Sequence, residues 1–515
     1  MISQPEARTL ARQLADAASG DDVAAWVAGS QALERLDGGS WLLVDQAART
    51  FTYADGAPVT GARGWLGAAL NEPSGFVAAV TSLHVDGRFR ERAVQVLGTV
   101  PSAIAVPALA VRLIDHVPEV RARAWEALRP ILRIDRAEAL LDVLLAGADR
   151  QHAGDALIRV QAVLLDTIPA DALVAQLSAS VRRRVRRWAF ELGHDEGMLS
   201  TERLMAAAQG DSDQWIQARC AEWLMKAPDP GLLTVLLDAR SVEARLVALS
   251  RAPESDLRDD SLGALLVDRA PRVREQARLR ARRRGWDVAE LYRRRLIEEN
   301  TSPRVVVACL DGLAITGNEE DLEAATSRLR HASARVRAAA VTTVEARATR
   351  SHAVELLTPM LVDPSARVSA AAARELSRLG APPSSAEAAW ASGQPSSRRA
   401  AWRLSRAAGG WRRVEADLRA ADDPDAALSA LGRTGIRNWL EVSAPTTWEP
   451  LTEARRARIA TLLTGAGLGR EEQRVAAFHA GIKLPAKEVR TRPTDGLSAP
   501  HPVPRRSWLR LLRRR

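Results

Sequence analysis

Along most of this chain the apolar residues recur at i, i+4 and i+7 or i+8, the stripe of a single helix face. The stripe sits in a short phrase that itself recurs: an apolar residue, often Arg, then an Ala-rich helix. Its copies begin at Phe89, Val120, Val185, Ile216, Val242, Val273, Val305, Val336, Val368 and Ser397. Most successive starts lie 26 to 32 residues apart, and the 65-residue gap from Val120 to Val185 leaves room for a degenerate copy around Ile158. A second helical stretch lies between the phrases, as in Ala105 to Ile114 or His352 to Leu361. Asp, Ser and Pro separate the two; Asp or Ser caps the next helix and Pro ends the previous one. Two helices and two turns per period predict a helical hairpin. A lone hairpin cannot bury its apolar face, so the hairpins must stack.

The phrases Ala105 to Leu128 and His352 to Gly380 resemble the HEAT repeat, in the short form found in bacterial phycobilisome-lyase-type proteins. The resemblance implies an all-α fold, a right-handed α-solenoid of stacked helical hairpins wound into a HEAT-like superhelix. It also implies that the Val-Arg helix lines the concave face, and that the Arg after the apolar start (Arg90, Arg121, Arg186, Arg274, Arg337) bridges neighbouring repeats. Gln217, Glu243, Val306 and Ser369 depart from that pattern and are expected to weaken the ladder.

The ends read differently. Residues 1–75 lack the phrase and are expected to form a mostly helical N-terminal cap, in which 40–56 fits either a small hairpin or a helix. Residues 76–410 are the repeat solenoid. Residues 411–482 read as irregular C-terminal helical repeats, and 483–515 as a Pro-rich, basic, disordered tail.

Composition adds location. No apolar run reaches the ~18 residues of a membrane-spanning helix, and the first residues lack a secretory pattern. Two cysteines cannot build a disulfide framework. A cytoplasmic, bacterial protein is expected, the latter from the excess of Arg over Lys and the abundance of Ala. The formal charge is +10, of which the stretch from Lys483 onward carries +8. The body is therefore almost neutral, and its basic character is local.

Candidate chemistry is sparse. Cys220 and Cys309 fall at i+4 of the phrase, where other copies carry Ala124, Ala189 or Ala340, so both read as packing residues. The eight histidines form no HExxH or His-Glu pair, which removes the iron-dependent hydroxylases among HEAT-like enzymes. Thr464 to Glu471 has Gly465, Gly467 and Gly469 but lacks the third fingerprint glycine, and reads as a turn between helices. Trp125, Trp402 and Trp223 sit in regular framework positions. Trp188, Trp215, Trp286, Trp390 and Trp411 share no register.

Three basic clusters remain as a candidate binding surface. The first is Arg182, Arg183, Arg184 and Arg187. The second lies within 272–295, which holds ten Arg against three acids; there Arg280, Arg283 and Arg284 are spaced for one helix face, joined by Arg282 and Trp286. The third is the tail, with Trp508, Arg510, Arg513, Arg514 and Arg515, an amphipathic stretch suited to an anionic membrane or a partner groove. The expectation is a non-enzymatic scaffold or adaptor that binds a protein partner on the concave face, with no cofactor, no metal and no small-molecule substrate. The alternative is a nucleic-acid-binding solenoid using 272–295 and the tail. A DNA-glycosylase-type enzyme of the HEAT-like class ranks third, because none of its motif residues can be matched.

Overall fold

The computed structural model describes residues 1–54, 74–226 and 229–483, which are helical throughout, with no strand among them. They divide into two units, 1–266 with 270–280, and 267–269 with the chain from 281 onward. Within each unit successive hairpins stack. The second helix of one packs on the second helix of the next, as Gly87–Leu97 does on Pro118–Leu128, and Pro303–Thr316 on Ala334–Arg347 and then Ala366–Arg378. This is the packing of an α-solenoid. Hairpins run on past 410: Gly410–Ala421 with Ala426–Asn438, then Glu453–Gly465 with Arg470–His479. Gly465 closes one helix and Arg470 opens the next, so the three-glycine segment between them is a turn, as read from the sequence.

The gap between Val120 and Val185 is filled by the helix Ala153–Thr167, which buries Ala156, Val160 and Leu164 at the expected spacing of four. Ile158 itself points to solvent, 72% exposed. Another phrase shifts by two residues. In Val242–Arg251 the buried pair is Ala244 and Ala248, so the repeat starts at Ala244 and the arginine after it is Arg245. Both cysteines are fully buried in the slot that alanine fills elsewhere.

The expected ladder forms at Arg90, Arg186 and Arg337, where it has a defined geometry, whereas Arg121 bonds the Asp115 carbonyl of its own turn. Ahead of several second helices an aspartate accepts the N–H two residues on, an Asx turn; Ser180, His331 and Ser392 take the same place elsewhere. The aspartate turns include Asp115 with Val117, Asp363 with Ser365 and Asp423 with Asp425. The arginine of the preceding hairpin closes on the same carboxylate through two parallel bonds: Arg90 on Asp115 at 2.9 and 2.8 Å, Arg337 on Asp363 at 2.8 Å twice, Arg398 on Asp423 at 2.7 and 3.0 Å. Its remaining nitrogen donates to carbonyls of its own turn, such as His331 and Ser392. Arg186 makes a one-armed version to Asp211 at 3.3 Å.

Two of the four expected weak points, Gln217 and Glu243, behave differently, while the Ser369 hydroxyl donates to the Ala366 carbonyl of its own helix. Gln217 takes over the role: its amide donates to the Asp211 carbonyl and accepts from Ser241 Oγ at 2.7 Å, still joining two hairpins. Glu243 is not in the slot at all, because Arg245 is, buried and bonded to the Ala239 carbonyl at 2.6 Å.

The N-terminal helices Gln4–Ser19, Val23–Glu34 and Gly38–Ala54 pack on the first hairpins of their unit. The hairpin alternative for 40–56 does not form: 38–54 is one helix. Trp41, Leu42, Val44 and Ala47 are buried at helical spacing against Ala105–Leu113 and Ile134–Ala146, and this face overrides local β-propensity. Gly38 lies against the backbone of Asp142, where any Cβ would collide, and donates its N–H to the Asp142 carboxylate at 2.7 Å. Beside it lies a buried ionic cluster. Arg112 bridges Asp45 of the cap to Asp115 of the repeats, the latter at 2.9 Å. Arg49 reaches both aspartates at 3.3 and 3.2 Å, and Arg150 reaches Asp45 at 3.3 Å.

Burial alone would raise the Asp115 pKa, but attraction to Arg112 and the bonds from Arg90 outweigh it and hold the carboxyl at about 2. An unfolded chain titrates it near ~3.9, so the unfolded state takes up the proton first. The stabilisation is complete above roughly pH 4 and is lost as the pH falls towards about 2. Asp115→Asn should therefore cost about 3 kcal/mol at neutral pH and flatten stability across that acid window. Urea unfolding at stepped pH measures both.

Candidate functional site

The first arginine cluster lies at the start of the helix Arg183–Asp195 and is mostly engaged within the fold. Arg187 grips Asp213 of the next hairpin through two bonds of 2.7 and 2.8 Å and lies 5.2 Å over the Trp215 ring. Those bonds from Arg187 hold the Asp213 carboxyl below its usual range and keep the guanidinium charged. Arg183 lies 3.8 Å from the same carboxylate and Arg182 lies 3.6 Å from Asp142. Arg184 points to solvent.

The second cluster is a correction. Arg280 does not share an open face with Arg283 and Arg284: it is 6% exposed, bonded to the Ala252 carbonyl and 3.0 Å from Glu254. Arg274 and Arg278 are buried as well. The helix Pro271–Arg283 buries Val273, Ala277 and Ala281, and these arginines sit at positions flanking that stripe. Arg272 pairs with Glu243 at 2.6 Å, Arg293 with Asp321 through bonds of 2.8 and 3.1 Å, and Arg294 with Glu290 at 3.0 Å. Arg282 and Arg283 remain exposed, and Arg284 and Trp286 are half-buried. The +7 counted along the sequence is thus not a +7 surface. Trp508, Arg510, Arg513, Arg514 and Arg515 lie outside the described residues.

A site that the sequence reading missed opens in the first unit, between Pro118–Leu128 and Ala153–Thr167. It is a cleft of about 300 Å³ lined by Leu113, Pro118, Arg121, Trp125, His152 and Arg159. Trp125 was assigned to framework packing, yet it is only half-buried and forms a wall of the cleft. Position i+5 is turned about 100° from the buried i+4 slot, but Trp402 is buried at the same position of its phrase, so the register alone does not mark the cleft. Arg159 lies 4.3 Å over the Trp125 ring. Arg121 is fixed by a 2.6 Å bond to the Asp115 carbonyl. Of the expected ladder arginines, it is the one whose head faces this cleft.

The same pairing recurs on later second helices of the unit. Trp215 carries Arg187, and Trp223 lies between Arg219 at 5.3 Å and a stacked His194 at 4.2 Å. Arg219 is itself tied to Glu191 and Glu222 at 2.9 and 3.2 Å. Half-exposed Trp188 and Trp215 join Trp125 along this set of helices. In the second unit Trp390, Trp402, Trp411 and Trp439 are buried, while Trp286 is half-buried and Trp448 is exposed.

No family model matches the chain, and no curated protein matches it. Among solved structures it is similar to importin beta in an ammonium sulfate condition, at 13% identity and a TM-score of 0.27 over 92% of this chain and 67% of that one. It is also similar to Kap121p bound to Pho4p, at 14% identity and a TM-score of 0.27, covering 92% and 51%. The chain spans about half the length of Kap121p. The repeat architecture rests on the helix packing described above.

Internal and solvent-facing arginines of the first cluster should separate on substitution. Arg187→Ala strips a buried carboxylate of its partner and should cost about 1–3 kcal/mol. Arg184→Ala should leave the thermal midpoint within experimental scatter. Equal effects in a melting experiment would contradict the pairing.

Proposed function

We propose that this protein is a non-enzymatic scaffold that binds a segment of another protein along the second-helix surface of its first unit. The observation that carries the reading is the cleft at Trp125. Its aromatic wall is braced by Arg159, Leu113 and Pro118 line it beside Arg121, His152 and Asp155, and further Trp–Arg pairs follow on later hairpins. Tryptophan and arginine are the side chains that most often anchor protein interfaces, because each offers a large contact area and a polar edge. A nucleic-acid reading needs many cations free to displace phosphate counterions. Within the two described clusters most of the arginines are already held by carboxylates or carbonyls, which favours a protein partner.

Crosslinking in extracts of the native host, followed by peptide mapping, tests the reading. The expected result is a discrete protein crosslinked to 118–128 and 153–167, and lost from Trp125→Ala/Arg159→Ala. Tight, salt-sensitive binding of purified protein to DNA or RNA, with no protein crosslink at the cleft, would overturn it. Reversal of Arg282, Arg283 and Arg284 to Glu should leave partner capture intact.

A further inference from the structure

A second, larger groove in the first unit has the opposite electrostatic character. It encloses about 470 Å³ where the N-terminal helices meet the repeats. Its floor is apolar: Leu36, Ala103 and Ala139 meet solvent there, over the buried Leu33, Trp41, Pro107 and Val143. Its lining carries four carboxylates, Glu34, Asp135, Glu138 and Asp142, against the single guanidinium of Arg182. Two of the four are tied inward: Asp142 holds the Gly38 N–H and lies 3.6 Å from Arg182, and Glu138 accepts from Ser180 Oγ at 2.7 Å. Glu34 and Asp135 are exposed at the rim, the latter 3.4 Å from an equally exposed Arg133. Val181 also lines the groove and is 88% exposed, an apolar side chain left in water beside an apolar floor.

We infer that this groove docks a basic peptide segment of a partner protein, one that carries at least one large apolar side chain. The apolar floor takes the side chain, and Val181 closes over it from the repeat side. The rim carboxylates pair with the flanking cations and repel acidic sequences, so charge sets the choice of partner while the floor supplies the anchor. The groove is separate from the Trp125 cleft, and each can fail without the other.

The experiment uses the full chain and a fluorescein-labelled peptide of alternating Leu and Arg, read by fluorescence anisotropy. Two control peptides replace either every Arg by Glu or every Leu by Ala. The Leu/Arg peptide should bind and both controls should bind more weakly by about tenfold or more. Glu34→Arg with Asp135→Arg should weaken the Leu/Arg peptide by at least about tenfold; both side chains are on the surface, so the fold is unaffected. Val181→Asp should weaken it too, whereas Trp125→Ala should leave it unchanged. No binding, equal binding of the Leu/Glu peptide, or an unaltered affinity in the rim variants would each overturn the inference.

Discussion

One contact keys the best-defined junctions of this array: the arginine of one hairpin gripping the aspartate that shapes the next turn. The carboxylate does two jobs at once. It fixes the turn by accepting a backbone N–H, and it receives the neighbour's guanidinium in a planar, two-bond geometry, as Asp363 does from Ser365 and Arg337. The apolar stripe makes hairpins adhere, but apolar contact alone tolerates sliding. A forked bond to a rigid turn does not, so the pairing sets the register of the stack.

The N-terminal helices extend that logic by covering an end. Asp115 already serves the ladder through Arg90, and the cap recruits it again through Arg112 and Arg49. Charges buried this deeply are costly when unpaired, so the cluster holds the N-terminal helices only in an arrangement that pairs its carboxylates with its guanidiniums. Gly38, with its N–H on Asp142, shows how closely the two backbones approach.

Much of this fold was legible in the sequence because it repeats. The phrase located the second helices, placed Cys220 and Cys309 in the small-residue slot, and pointed to Arg90, Arg186 and Arg337 as bridges. It failed where a local pattern was read without its tertiary partners. Val242 looks like a phrase start, but packing selects Ala244, two residues on. Composition left 40–56 open between a small hairpin and a helix, and the burial of Trp41 and Val44 together selects the helix. The candidate site was less legible. Clustered arginines were read as surface charge, whereas Arg280 and Arg187 meet carbonyls and carboxylates from other hairpins, which a linear charge count cannot see. The Trp125 cleft depends on Arg159, which comes from the copy whose phrase had decayed beyond recognition.

The spacing of the ladder carries one more implication. Arg90 to Asp115, Arg337 to Asp363 and Arg398 to Asp423 span nearly the same stretch of chain, from the second helix of one hairpin to the turn of the next. Donor and acceptor are therefore interchangeable parts. Removal of the two hairpins between Asp363 and Asp423 would return Arg337 to an aspartate in the same setting. Between such junctions the array can change its length in whole-repeat steps with no rewiring, while a gain or loss of a few residues within a hairpin breaks the match at once.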